Sequence, residues 1–127
     1  MSQTESPLIA IVDDDASVCD SISSLIRSAG YRSEVFTSAE AFLVSDDIRD
    51  TDCLVLDVRL PGLSGLDLQR RLSGLKLSIP IIFITAHADD RVLAKALEQG
   101  ALAFLSKPFS GEALLAVIQS ALNSTCQ

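Results

Sequence analysis

With three cysteines, one histidine and ten basic residues among 127, the chain lacks the side chains that several function classes require. Cys19, Cys53 and Cys126 are odd in number, widely spaced and free of any Cys-x-x-Cys pair. Neither a disulfide framework nor a zinc site is supported, and the thiols are read as reduced. No apolar run approaches the length that crosses a bilayer, so no membrane partner is expected. Residues 1–7 have no basic start and no apolar core; they are expected to be a disordered lead rather than a signal peptide, and a cytoplasmic location follows. Lys and Arg number ten against seventeen Asp and Glu, and the net charge of −7 opposes direct binding of nucleic acid. The chain also shows no internal repeat and no low-complexity segment.

What is present is apolar and regularly punctuated. Hydrophobic residues make up 48% of the chain, mean hydropathy is +0.36, and the length suits one domain spanning 1–127. Leu8 to Val12 is a short apolar run that stops at Asp13, Asp14 and Asp15, which reads as a buried strand with an acidic tip. Val18, Ile22, Leu25, Ile26 and Ala29 recur at helical spacing before Gly30. Arg32 to Phe36 is half-polar and suits a sheet edge. Thr37 and Glu40 have the spacing of a capping box for a helix reaching about Val44, and 46–52 reads as loop or frayed helix.

Cys53 to Asp57 is the strongest strand signal, an uninterrupted apolar run ending in an acid. Pro61-Gly62 then breaks the chain, and Ser64 caps a helix through Leu72 with Gly74 near its stop. Pro80 to Ile84 forms a fourth strand ending at Thr85-Ala86-His87. Asp89 and Asp90 suit a helix start, with Val92, Leu93, Ala96 and Leu97 as its apolar face. Ala103 to Leu105 is a fifth strand; Ser110 starts a last helix facing inward through Leu114, Leu115, Ile118, Ala121 and Leu122, and 123–127 reads as a tail or the start of a linker. Five strands alternating with five helices predict an α/β fold: a flavodoxin-like (βα)5 doubly wound parallel sheet in order 2-1-3-4-5.

A parallel sheet in that order gathers its strand tips on one edge. Asp13, Asp14 and Asp15 then meet Asp57, with Thr85 and Lys107 beside them. Asp15 is assigned to helix capping. Packed carboxylates need protonation or a cation, and Mg²⁺ held by carboxylates, water and phosphate oxygens is the usual solution. Lys107 adds a positive charge and Thr85 a hydroxyl donor. Phosphoryl transfer asks for charge neutralisation and positioning, so the set points to transfer onto Asp57 itself.

Four motifs, Ile11 to Asp15, Leu56 to Gly65, Ile84-Thr85-Ala86 and Lys107-Pro108-Phe109, together resemble the receiver domain of two-component response regulators over nearly the whole chain. The resemblance implies a phosphoacceptor switch, not a turnover enzyme, with Asp57 receiving its phosphoryl group from a sensor histidine kinase. It further implies Asp14, Asp57 and the backbone carbonyl of Arg59 as direct Mg²⁺ ligands, with Asp13 acting through water. Thr85 and Phe104 correspond to the switch pair and Lys107 to the site lysine, and a cis Lys107–Pro108 bond is expected. Gly30-Tyr31, Ser38 to Leu43 and Thr85-Ala86-His87 resemble the branch preceding a helix-turn-helix output domain, which implies a homodimer through the fourth helix, fifth strand and fifth helix when phosphorylated. The chain is read as a fragment of a longer transcription regulator; the alternative is a stand-alone receiver or phosphorelay intermediate.

Other readings fit the residues less well. An aspartate-nucleophile phosphohydrolase carries a second acid two residues beyond its nucleophile, where this chain has Arg59. A nucleotide-binding module wants a glycine-rich loop after the first strand, where this chain has acids. His87 is read as a loop residue near the site with at most a tuning effect.

Overall fold

Ile9, Ile11, Cys53, Val55, Ile82 and Ile84 face one side of a central sheet, and Ala10, Val12, Leu54, Leu56, Ile81 and Phe83 face the other. A computed structural model describes residues 6–86, 90–107 and 109–125. The strands are β1 (Leu8–Val12), β2 (Arg32–Phe36), β3 (Cys53–Asp57), β4 (Ile81–Thr85) and β5 (Ala103–Ser106). They form one parallel sheet in the order β2-β1-β3-β4-β5, as expected. Helices α1 (Ala16–Ser28), α2 (Ala39–Leu43), α3 (Gly65–Gly74), α4 (Asp90–Glu98) and α5 (Gly111–Thr125) alternate with them.

Both faces of the sheet are covered, which is why β1, β3 and β4 read as unbroken apolar runs. Cys19, Ile22 and Ile26 of α1, with Leu114, Ile118 and Ala121 of α5, close one side. Phe42 of α2, Leu68 and Leu72 of α3 and Ala96 of α4 close the other. The buried Gln69 of α3 donates from Nε2 to the Ala96 carbonyl at 3.1 Å and ties two helices of that layer together. Edge strand β2 is only partly covered, in keeping with its polar content.

Helix ends follow local chemistry, with several departures from expectation. Asp15 caps α1 by accepting from the N–H groups of Ser17 and Val18. Gly30 follows that helix at φ +94°, where a side chain is disfavoured. Helix α2 is capped by Ser38, whose hydroxyl accepts from Ala41 N–H at 3.1 Å, so the Thr37–Glu40 capping box does not form. A true capping box closes α3 instead, between Ser64 and Asp67. The 46–52 stretch contains a single 3₁₀ turn at Ile48–Asp50. Asn123 to Thr125, expected as tail, continue α5, and Leu97, expected on the apolar face of its helix, is 48% exposed. The readings of residues 1–5, His87, Asp89, Pro108 and Cys126 lie outside the described residues, as do those of the side chains of Asp90, Val92 and Leu93.

The start of α3 lies against the tip of β3. A Cβ on Gly65 would sit 2.5 Å from the Asp57 carbonyl oxygen and 3.0 Å from Val58 Cα, both backbone atoms that cannot move cheaply. Gly65→Ala is therefore expected to destabilise the fold by about 1–3 kcal/mol through overpacking. Urea denaturation of the two proteins measures it, and equal midpoints would contradict the close approach.

Candidate functional site

Strand β1 pairs with β3 so that Val12 lies level with Leu56, and the next residue on each strand is an aspartate. One carboxylate oxygen each from Asp13, Asp14 and Asp57 lies within 4.8 Å of the others. Asp13 is fully buried, Asp57 is 7% exposed and Asp14 is exposed. The cluster thus opens to solvent on the Asp14 side.

Lys107, two positions beyond the level of Asp57 across β4 and β5, reaches back to both buried acids. Its Nζ donates to Asp13 Oδ2 at 3.0 Å and stands 3.4 Å from Asp57 Oδ2. The remaining oxygens have backbone donors: Asp13 Oδ1 accepts from Asp15 N–H at 3.0 Å, and Asp57 Oδ1 from Arg59 N–H at 3.0 Å. Beneath them, Cys19 Sγ donates to the Asp13 carbonyl at 3.2 Å; burial, with the nearby Asp13 charge adding to it, pushes this thiol up to about 11, so it stays protonated and able to donate. Cys53 is likewise pushed up to about 12 by burial.

Among the described residues the charges do not balance, since three carboxylates face one ammonium. Burial raises the Asp57 carboxyl above its ordinary value, and the Asp13 charge adds to the rise, although the Arg59 N–H and Lys107 oppose it. Burial alone would lower Lys107, but its hydrogen bond to Asp13 and the charges of Asp57 and Asp13 outweigh that and raise it. The donor set is all oxygen, partly buried and negatively charged in excess, which suits a hard divalent cation.

Thr85 ends β4 level with Ser106, and Phe104 lies on the neighbouring β5. Alternation along β4 places Thr85 on the side of Ile81 and Phe83, and along β3 it places Asp57 on the side of Cys53 and Val55. Thr85 is buried, and its carbonyl accepts from Lys107 N–H at 2.7 Å. Phe104, level with Phe83 on β5, is half-buried against the α3/α4 layer, on the same face as Thr85. Arg59 meets the cluster through its backbone, and its side chain is exposed.

Two contributors escape sequence reasoning. Gly65 permits the close approach of α3 but looks like any helix-start glycine. Glu40 Oε2 accepts from the N–H of Leu63 in the β3–α3 loop at 3.1 Å, a contact its local capping spacing conceals.

Ionised Asp57 is disfavoured by the fold, so protonated Asp57 contributes stability below its unfolded value of 3.8 that is lost as pH rises through the raised folded value. In metal-free buffer, Asp57→Asn is expected to melt a few degrees higher than the parent at pH 7, with the difference vanishing near pH 3. Melting curves across that pH range measure it; a lower melting temperature for the variant at pH 7 would reverse the sign.

The response regulator receiver domain profile matches residues 9–119. Response regulator protein TmoT of Ectopseudomonas mendocina is 49% identical over 122 residues, covering 96% of this chain and 55% of that protein. Transcriptional regulatory protein FixJ of Bradyrhizobium diazoefficiens is 40% identical over 114 residues, covering 90% of this chain and 56% of that protein. The chain therefore spans about half the length of the curated relatives it matches. Among solved structures, response regulator StyR superposes with a TM-score of 0.85 at 44% identity, covering 93% of this chain and 60% of that one. The crystal structure of FixJ-N does so with 0.84 at 34% identity, covering 94% and 95%.

Proposed function

The chain belongs to the response regulator receiver domain family, and from that premise we propose that Asp57 is the phosphoacceptor and a sensor histidine kinase its donor. The observation that carries this reading is the clustering of Asp13, Asp14 and Asp57 at the carboxyl edge of the sheet, with the half-buried Lys107 bridging Asp13 and Asp57. In the transfer, a carboxylate oxygen of Asp57 attacks the phosphorus of a phosphohistidine. The P–N bond breaks, its electron pair returns to the imidazole, and an acyl phosphate forms. Asp57 Oδ1 is held by the Arg59 N–H, which orients the carboxylate before the donor arrives. The Lys107 ammonium, already between Asp13 and Asp57, supplies positive charge for the incoming phosphoryl oxygens, and the Thr85 hydroxyl is the donor that follows them.

Asp14, Asp57 and the Arg59 carbonyl would hold Mg²⁺ directly, and Asp13 through water; when bound, the ion supplies charge neutralisation at the phosphoryl group. An open groove lined by Ser17, Val18, Ile22, Lys107 and Phe109 gives the kinase an approach along α1. Arg59 cannot act as the general acid that a phosphohydrolase needs at its position, which favours a regulator over a turnover enzyme. Among the described residues no helix is long and apolar enough to cross a membrane, and the cytoplasm is the proposed site of action.

Thr85 and Phe104 on one face, with α4 beyond, form the two-state element that the acyl phosphate biases. Leu97 and Leu102, 48% and 39% exposed, offer apolar area for a homodimer through α4, β5 and α5. The proposed output is transcriptional, exerted through a separate DNA-binding domain, because relatives of about twice this length carry regulator names and the net charge of −7 keeps this domain off DNA.

Incubation with Mg²⁺ and a small phosphodonor, followed by mass spectrometry, is expected to add one phosphoryl group, and Asp57→Asn to add none. Folded wild-type protein that gains no adduct would refute the acceptor assignment. Light scattering is expected to show a dimer only after phosphorylation, and Leu97→Asp to keep the adduct while remaining monomeric; a phosphorylated monomer in the wild type would refute the pairing face.

A further inference from the structure

Glu40 sits in α2, on a different element from every acid of the cluster, yet it contacts the loop that leaves Asp57. Its Oε2 accepts from Leu63 N–H at 3.1 Å across 23 residues of sequence. Gly62, next to that contact, has φ +76°, and a Cβ there would come within 2.8 Å of the same oxygen. The left-handed turn favours glycine at 62, and a Cβ there would push the movable end of the Glu40 side chain away from the loop. At its base the loop is closed by Gly65 N–H donating to the Val58 carbonyl at 3.1 Å, and at its start by Arg59 N–H donating to Asp57 Oδ1 at 3.0 Å. Glu40 adds a tie at the apex. It is spared from local capping because Ser38 already caps α2.

We propose that Glu40 is a positioning residue: by holding Leu63 it fixes the β3–α3 loop and so the direction in which the Arg59 carbonyl faces the acid cluster. The carboxylate acts here as a hydrogen-bond acceptor, in the way outer partners orient the groups that touch a metal. This rests on the reading of the cluster as a Mg²⁺ site with the Arg59 carbonyl as a ligand. Because the contact is solvent-exposed, its loss is expected to change affinity by a few fold rather than abolish it.

The test compares wild type, Glu40→Ala, Glu40→Gln and Asp14→Ala by calorimetric Mg²⁺ titration and by amide hydrogen exchange at Leu63. Glu40→Ala is expected to weaken Mg²⁺ binding about threefold to tenfold and to speed Leu63 exchange by a similar factor. Glu40→Gln keeps an acceptor oxygen and is expected to restore both to within about twofold of wild type. Wild-type Mg²⁺ affinity in Glu40→Ala overturns the proposal, as does unchanged Leu63 exchange. A Glu40→Gln variant that loses as much affinity as Glu40→Ala while Leu63 stays protected also overturns it, because charge and not position would then be at work. If wild type and Asp14→Ala bind Mg²⁺ alike, the cation reading itself fails and the aiming of Arg59 falls with it, while the Leu63 exchange rates still report whether Glu40 holds the loop.

Discussion

The ammonium of Lys107, 3.0 Å from Asp13 and 3.4 Å from Asp57, is what makes the carboxyl edge of this sheet tolerable. Asp13 is fully enclosed, and an isolated carboxylate there would cost several kcal/mol, about the scale of a whole domain's stability. The two contacts span 94 and 50 residues of sequence, so they exist only when β1, β3, β4 and β5 have all found their register. Charge pairing and sheet assembly are in that sense one event.

The same arrangement leaves the edge under-compensated. Backbone N–H groups of Asp15 and Arg59 and one lysine cover the two buried acids, but the Asp57 carboxyl is still raised and Asp14 stands exposed beside it. A site balanced this way attracts a cation or a proton and holds a carboxylate oxygen partly out of water. These are the conditions phosphoryl chemistry asks for, and they come from the folding pattern rather than from a dedicated pocket.

Much of this was legible in the primary structure because burial on both faces writes itself as an unbroken apolar run. Leu8 to Val12, Cys53 to Leu56 and Ile81 to Ile84 are such runs, and the acid, acid and threonine that follow them mark one edge. Gly30 was equally readable, since a left-handed residue after a helix has few alternatives to glycine. Glu40 was not, because a carboxylate three residues beyond Thr37 can serve a local cap or a distant N–H, and spacing cannot tell which. Leu97 was misplaced for a related reason: helical periodicity defines an apolar stripe but not how much of it the neighbouring layer covers. Gly65 owes its role to the carbonyl of Asp57, an atom that no side-chain pattern reveals.

The sheet also acts as a partition. Asp57 alternates onto the side of Cys53, Val55, α1 and α5, whereas Thr85 and Phe104 share the side of Phe83, α3 and α4. Between the two helical layers the sheet's three central strands, β1, β3 and β4, are buried throughout. In a set of duplicated copies, the layer of α1 and α5 and the layer of α3 and α4 can accumulate substitutions separately, each packed against its own side of a shared wall.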